Sequence, residues 1–230
     1  MTTKRTIEEW GKRYLVLCVG LWIMSLGVAG SIKGALGTSP ISSLPYAMSG
    51  FLPLTVGTCT IIMHVGFILL QILILRRQYD PMQLIQLPVA LLFGYLTDFA
   101  LWAVDWIQCT AYWQQGLVCL VGICLVAVGV SCEVTADVAV LAGEGVVLAV
   151  CKVAPIQFSA MKVIFDVTLV VSACVLSLTF TGEISGVREG TLAAALLVGT
   201  LTRQIRRPMG RLEAWFTAQK PKIGAESPQM

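Results

Sequence analysis

Residues 14–32 read YLVLCVGLWIMSLGVAGSI, a run without a single charged side chain. A helix of about 20 apolar residues is long enough to cross the hydrocarbon core of a bilayer. Four further long runs are also strongly apolar, and a sixth is shorter; they cover residues 54–75, 84–104, 116–131, 158–180 and 190–202. The sequence therefore predicts an all-α membrane protein with about six transmembrane helices.

The composition of the whole chain agrees with these runs. Of 230 residues, 57% are hydrophobic and only 13% are charged, whereas a soluble domain carries about 25% charged residues. A net charge of +3, spread along the chain, is too weak for a nucleic-acid partner. The eight cysteines stand singly without a C-x-x-C pair, which predicts small hydrophobic side chains instead of disulfides or a zinc site.

The basic residues predict the orientation of the spans, because cytoplasmic loops collect Lys and Arg. With the N-terminus inside, all of the 16 basic residues except Lys33 and Arg188 fall on or near the cytoplasmic side. We therefore expect both termini to be cytoplasmic. The start of the chain has the pattern of a signal peptide, but it has a counterpart later in the sequence, which favours a membrane span.

Two further apolar stretches, residues 40–53 and 138–153, are interrupted by Pro, Gly, Ser or Glu and are short for full spans. They are typical of re-entrant half-helices. The alternative is eight full spans, but the pair Arg76-Arg77 would then face outward. We favour six.

An internal repeat links the two halves of the sequence. Residues 87–97 (LPVALLFGYLT) align with residues 192–202 (LAAALLVGTLT), and at an offset of 102 His64 aligns with Asp166 and Gly27 with Gly129. Each half shows a span, an interrupted stretch, and two more spans. Three crossings is an odd number, so the halves are predicted to be inverted relative to each other, as in many transporters and channels. A purely structural duplication is the alternative.

The first interrupted stretch, residues 37–46 (GTSPISSLPY), places Ser39 as N-cap and Pro40 at the first helical position. Its helix N-terminus would lie near the midplane with free N–H groups. The second stretch, residues 142–146 (AGEGV), would bring a second N-terminus there from the cytoplasmic side. Two such ends favour a carboxylate or another polar acceptor. A kinked helix that spans the bilayer without a ligand role is the alternative.

Ionisable side chains inside membrane runs are costly and are therefore candidate functional residues. Glu144, between two glycines, is the strongest candidate, and Lys162 and Asp166 are spaced to form either a functional group or a structural ion pair. The predicted substrate-binding residues are Thr38, Ser39, Ser42, Ser43, His64, Glu144 and Asp166. The predicted proton-coupling or ion-pair residues are Asp98, Glu144, Lys162 and Asp166.

Some residues are assigned lesser roles. His64 is better explained as a packing residue than as a site residue, and Asp98 is equally well explained as a helix boundary. Glu133 and Asp137 are expected at the cytoplasmic mouth as solvated groups. The chain carries no sequence motif of an enzyme, so we expect no catalytic residues, no metal and no cofactor. The basic tail after Thr202 is typical of an interfacial segment or of a plain cytoplasmic tail.

At four segments the chain resembles the YczE/YitT-like family of uncharacterised bacterial integral membrane proteins. The segments are residues 37–46, Gly143-Glu144-Gly145, residues 162–166 and residues 186–191 (GVREGT). The resemblance covers residues 27–202, and it implies a bacterial cytoplasmic membrane and no established substrate. His64 stands where the family pattern leads us to expect an amide.

These observations predict a small secondary transporter or facilitator of a small polar or zwitterionic solute, with proton coupling through buried carboxylates. A channel-like pore and an accessory subunit of a larger complex are the alternatives; the lipid bilayer is the expected partner, and homo-oligomers are left open. The predicted organisation is a cytoplasmic N-terminus (1–13), a first membrane repeat (14–104), an external loop (105–115), a second membrane repeat (116–202) and a cytoplasmic tail (203–230).

Overall fold

The computed structural model describes residues 6–184 and 186–217, and within these ranges every regular element is helical. The eight α-helices are α1 (Ile7–Lys33), α2 (Pro40–Ser49), α3 (Val56–Leu75), α4 (Gln86–Ala103), α5 (Tyr112–Ala136), α6 (Ala142–Val153), α7 (Phe158–Thr181) and α8 (Glu189–Thr217). Two 3₁₀ turns, Arg76–Gln78 and Pro81–Ile85, connect α3 to α4.

Five of the long helices are both long and apolar enough to cross a membrane: α1, α3, α4, α5 and α7. The sixth long helix, α8, is not among them, because its second half carries several arginines. The sequence predicts the last apolar run to end at Thr202, but α8 continues without interruption to Thr217. Much of the predicted tail is therefore a helical extension of the bundle.

Helices α2 and α6 begin at the two predicted starts and are short, with 10 and 12 residues. At 1.5 Å per residue they measure about 15 and 18 Å, so neither reaches across a hydrocarbon core of about 30 Å. The N-cap Ser39 is extended, with ψ 152°. Its hydroxyl donates to the Ser42 hydroxyl at 2.9 Å. The cap position is confirmed, although the side chain bonds a neighbouring serine and not the backbone of the first turn.

The helices occur twice in the same order: long, short, long, long. The starts of α2 and α6 and the starts of α3 and α7 are both 102 residues apart, which is the offset that aligns His64 with Asp166; the starts of α1 and α5 are 105 apart and those of α4 and α8 are 103 apart. Helix α1 packs on α5 at the centre, α4 packs on α1, and α8 packs on α5. The correspondence is incomplete, since α3 lies along α4 whereas α7 does not pack in this way on α8 over the described residues.

Helices α1 and α5 cross in antiparallel fashion through four glycines. A Cβ on Gly27 would lie 2.6 Å from the Val126 backbone nitrogen and 2.7 Å from the Gly122 oxygen. A Cβ on Gly129 would lie 2.7 Å from the Gly20 oxygen. At the offset of 102, Gly20 corresponds to Gly122 and Gly27 to Gly129. The offset therefore relates the contacting pair Gly20–Gly129 to the contacting pair Gly27–Gly122. Small residues of this kind let membrane helices approach closely.

Candidate functional site

A cavity of about 620 Å³ lies in the middle of the bundle. It extends along α8 from Ala194 to Arg206, which is about 18 Å of helix. The N-terminal turns of both short helices reach it, and side chains of α1, α3, α5 and α7 complete its wall. A volume of this size suits a small organic molecule.

The first half of the chain lines the cavity with neutral polar groups. Ser39 and Ser42 come from the start of α2, and Thr60 and His64 lie one turn apart on α3. The His64 imidazole is 1% exposed and touches the edges of the Phe67 and Phe93 rings. Its Nδ1 atom has no hydrogen-bond partner among the described residues. A buried polar atom without a hydrogen bond is costly unless a ligand or a water molecule supplies that bond.

The second half supplies charged groups at the corresponding positions. Glu144 stands in the first turn of α6, and the Lys162 ammonium of α7 bonds the Asp166 carboxylate at 2.7 Å. At the offset of 102, Ser42 corresponds to Glu144. By the same offset Thr60 corresponds to Lys162, and His64 to Asp166. The cavity therefore has equivalent positions in its two halves but different chemistry, neutral in the first half and ionic in the second.

The solvated position that we expected for Glu133 is wrong. The apolar run was predicted to end at Ser131, but α5 continues to Ala136 and carries Glu133 inside the bundle, where it is 2% exposed. Its Oε1 atom accepts the N–H of Leu141 at 2.7 Å, next to the start of α6. Glu133 therefore satisfies one of the free amides at that helix end and also lines the cavity.

Asp137 differs from Glu133, because its side chain is 68% exposed and lies 3.9 Å from the Arg13 guanidinium. It sits at the cavity mouth, as the sequence predicts.

Six of the nine predicted site residues line the cavity, namely Ser39, Ser42, His64, Glu144, Lys162 and Asp166. The other three lie behind it. Ser43 donates to the Pro40 carbonyl within α2, and Thr38 is 1% exposed in the preceding loop. The Asp98 carboxylate accepts the Thr55 hydroxyl at 2.6 Å and the Gly57 N–H at 2.7 Å, so it caps the start of α3. This geometry favours a structural role for Asp98, and its proton-coupling role stays a prediction.

One end of the cavity is closed by contacts between the two halves. The loop before α2 joins the loop before α8 through a Thr38 N–H bond to the Gly186 oxygen at 3.1 Å and a Gly190 N–H bond to the Leu36 oxygen at 2.7 Å. Gly37 has φ +100°, and a Cβ there would lie 2.5 Å from the Thr191 hydroxyl. Only glycine allows this backbone to approach so closely. We call residues 35–38 with 186–191 the closed end.

The opposite end is open. The cavity reaches the exposed side chains of Asp137 and Arg206. The loop before α6, residues 137–141, corresponds to the loop before α2, but it does not close against the segment before α4. A cleft of about 250 Å³ separates Val138–Val140 from Met82–Gln86 instead. The buried Gln71 amide bridges part of this region, since it donates both to Gln86 and to the Ala142 carbonyl at 3.0 Å.

Five long apolar helices and a cavity lined by apolar, polar and charged side chains are consistent with one class: a multi-pass helical membrane protein. The chain belongs to a family of unknown function, DUF6198, which matches residues 11–207. No curated protein and no solved structure matches the chain. The narrower resemblance to YczE/YitT-like proteins stays a prediction.

Proposed function

We propose that the protein is a small secondary transporter or facilitator that moves a small polar or zwitterionic solute across the bacterial cytoplasmic membrane, with both termini inside. The observation that carries the proposal is the cavity itself. It lies between the N-termini of α2 and α6, and both halves of the chain place polar side chains in it at equivalent positions. In transporters with inverted repeats, such helix ends form the substrate site.

In this proposal the two halves are inverted repeats of three spans and one re-entrant helix. The exchange of glycine pairs at the α1–α5 crossing supports it, because a two-fold axis in the membrane plane would relate Gly20–Gly129 to Gly27–Gly122. The offset of 102 that the starts of α2 and α6 share with the starts of α3 and α7 supports it too.

The unequal ends of the cavity favour a carrier over a pore. Loops before α2 and α8 are bonded together at the closed end, whereas their counterparts before α6 and α4 are separated by a cleft. A carrier with inverted repeats opens to the other side when the halves exchange these two arrangements. A pore needs a path open at both ends, and residues 35–38 with 186–191 block one of them.

Glu144 is the residue on which we expect transport to depend. It lies in the first turn of α6, and the charges of Lys162 and Asp166 act on it from α7. Proton coupling would use this group together with Asp166. Glu133 was not among the predicted site residues, and its burial beside the start of α6 adds it to the site.

Solute counterflow in proteoliposomes tests the proposal. Vesicles are preloaded with a mixture of unlabelled amino acids and small amines, and the uptake of each labelled compound from outside is measured. A carrier gives saturable uptake that is accelerated by the internal solute. We expect Glu144→Gln to abolish this uptake, while Glu183→Gln, at an exposed carboxylate after α7, leaves it unchanged.

Two results would contradict the proposal. Flux that rises linearly with concentration and ignores the internal solute would indicate a pore. Counterflow that is unchanged in Glu144→Gln would remove that residue from the site.

A further inference from the structure

Within the described part of the chain the two glutamates of the cavity form no close ion pair, although the charge of Lys162 acts on Glu144 from α7. Lys162 is bonded to Asp166, and Arg206 lies at the exposed mouth. Over the described residues, neither Glu133 nor Glu144 forms an ion pair. Both carboxyls lie at the same helix end, since Glu133 accepts the Leu141 N–H and Glu144 stands in the first turn of α6. Buried like charges of this kind are costly unless a cation or a proton compensates them.

The amides at the start of α6 do not compensate both carboxylates. A free helix N-terminus would favour an anion. Here Glu133 already accepts the Leu141 N–H at 2.7 Å, and Glu144 stands in the first turn of the same helix. The positive end of the α6 helix dipole is therefore already compensated by Glu133 and Glu144 of the protein itself. Two carboxylates at one helix end leave an excess of negative charge there.

The neutral side of the cavity offers acceptors. His64 is 1% exposed and its Nδ1 has no partner among the described residues. In a neutral imidazole one ring nitrogen is an acceptor. The hydroxyl oxygens of Ser42 and Thr60 accept hydrogen bonds as well, and both residues line the cavity. A group with several N–H donors would satisfy this set together with the carboxylates.

An inorganic cation fits the site less well than an organic one. Within the described part of the chain, no three His, Cys, Asp or Glu side chains come close enough to hold a metal ion. The remaining wall is apolar, with Met24, Met63, Phe93 and Val198 among its members. An apolar wall packs against the hydrocarbon part of an organic ligand, and a metal ion has no such part.

We propose that the cavity binds the protonated amino group of an organic solute at Glu133 and Glu144, with the hydrocarbon part of the solute against the apolar wall. The inference rests on the proposed function and narrows its substrate to amines. A primary ammonium carries three donors and one positive charge. It would offset the repulsion of the two carboxylates and donate hydrogen bonds to the acceptors on α2 and α3.

A series of five-carbon probes that differ only in charge tests the proposal. The probes are pentylamine, 1,5-diaminopentane, 5-aminopentanoate, 1-pentanol and pentanoate, added to the purified full-length protein in detergent while its thermal unfolding is followed. A bound ligand stabilises the folded state by RT ln(1 + [L]/Kd). We expect pentylamine and the diamine to raise the melting temperature in a saturable way, the zwitterion less, and the alcohol and the anion not at all.

The variants Glu133→Gln and Glu144→Gln locate the binding. Glutamine keeps an oxygen that can accept the Leu141 N–H, so Glu133→Gln is expected to fold, and Glu144→Gln carries the test if it does not. A lost hydrogen bond to a charged group corresponds to an affinity about ten- to a hundredfold lower for pentylamine. Glu183 is exposed and is not among the residues that line the cavity, so Glu183→Gln is expected to bind as the parent protein does.

Three results would overturn the inference. The first is that pentanol or pentanoate stabilises the protein as well as pentylamine does, and the second is that the amines fail to stabilise it at concentrations of about 10 mM or below. The third is that stabilisation by the amines is undiminished in both glutamine variants. Stabilisation by pentanoate or 5-aminopentanoate alone would refute the amine class and leave a solute-binding transporter in place. The proposed function fails separately, in the counterflow experiment.

Discussion

Adding one methyl group at Gly27 tests the crossing of α1 and α5, on which the relation between the two halves depends. A Cβ there would lie 2.6 Å from the Val126 nitrogen and 2.8 Å from the Val126 Cγ2. Ordinary van der Waals contact begins near 3.5 Å, so the helices must separate by about 1 Å. Overpacking of this kind costs about 1–3 kcal/mol. The same cost is expected for Gly129→Ala, whose Cβ would lie 2.5 Å from the Met24 Cβ.

Alanine also favours a helix over glycine by about 0.8–1.0 kcal/mol, and matched controls separate this gain from the packing cost. Gly66 lies within α3 with nothing within 4 Å of an added Cβ, and Gly30 lies on α1 with its nearest neighbour at 3.7 Å. We expect Gly66→Ala and Gly30→Ala to be neutral or stabilising. Gly27→Ala and Gly129→Ala should lie below them by about 1–3 kcal/mol, or several °C in melting temperature.

Thermal unfolding of the four purified variants in one detergent is the assay. Equal melting temperatures for Gly27→Ala and Gly66→Ala would refute the close crossing. A cost at Gly27 without a similar cost at Gly129 would contradict the two-fold relation between the glycine pairs.

Three further predictions concern single contacts. Gln71→Ala removes the bridge from α3 to α4 and to the start of α6, so it should lower stability by about 1–3 kcal/mol in thermal unfolding; an unchanged melting temperature would contradict the bridge. Gly190→Val would place a side chain against the closed end, since a Cβ there lies 2.7 Å from Cys119 Sγ. It should speed labelling of Cys119 by a polar maleimide in mass spectrometry relative to buried Cys132, and unchanged labelling would show that this contact is not what closes that end. Asp98→Ala removes the cap of α3 and should cost about 1–2 kcal/mol, measured in the same unfolding assay; no loss would argue against capping.

The helix starts were predictable because local rules set them. Ser39-Pro40 is an N-cap followed by a proline at the first helical position, and α2 begins there. Glycines around Glu144 mark the start of α6. The joining of the segment before α2 to the segment before α8 was not predictable, because it pairs residues 148 and 154 positions apart through backbone groups that carry no sequence signal.

The burial of Glu133 is a feature that its neighbours in sequence do not predict. A charged residue near the end of an apolar run is ordinarily solvated, and the sequence around Glu133 gives no local sign of a different environment. The apolar run ends at Ser131 in the sequence, whereas the helix ends at Ala136. At the offset of 102, Glu133 corresponds to Ser31, which is also buried, but the burial of Ser31 is seen only in the structure.

The sequence by itself determined the membrane class, the approximate positions of the spans, the two short helices and six of the residues that line the cavity. These features depend on apolar run length, helix-start chemistry and periodic repetition, which act over a few turns of the chain. Tertiary structure alone decided that α8 extends to Thr217, that Asp98 caps α3, that Glu133 is buried and that one end of the cavity is closed. Each of these depends on contacts between helices distant in sequence, because in a packed bundle a neighbouring helix decides whether a polar group faces solvent, a partner or a site.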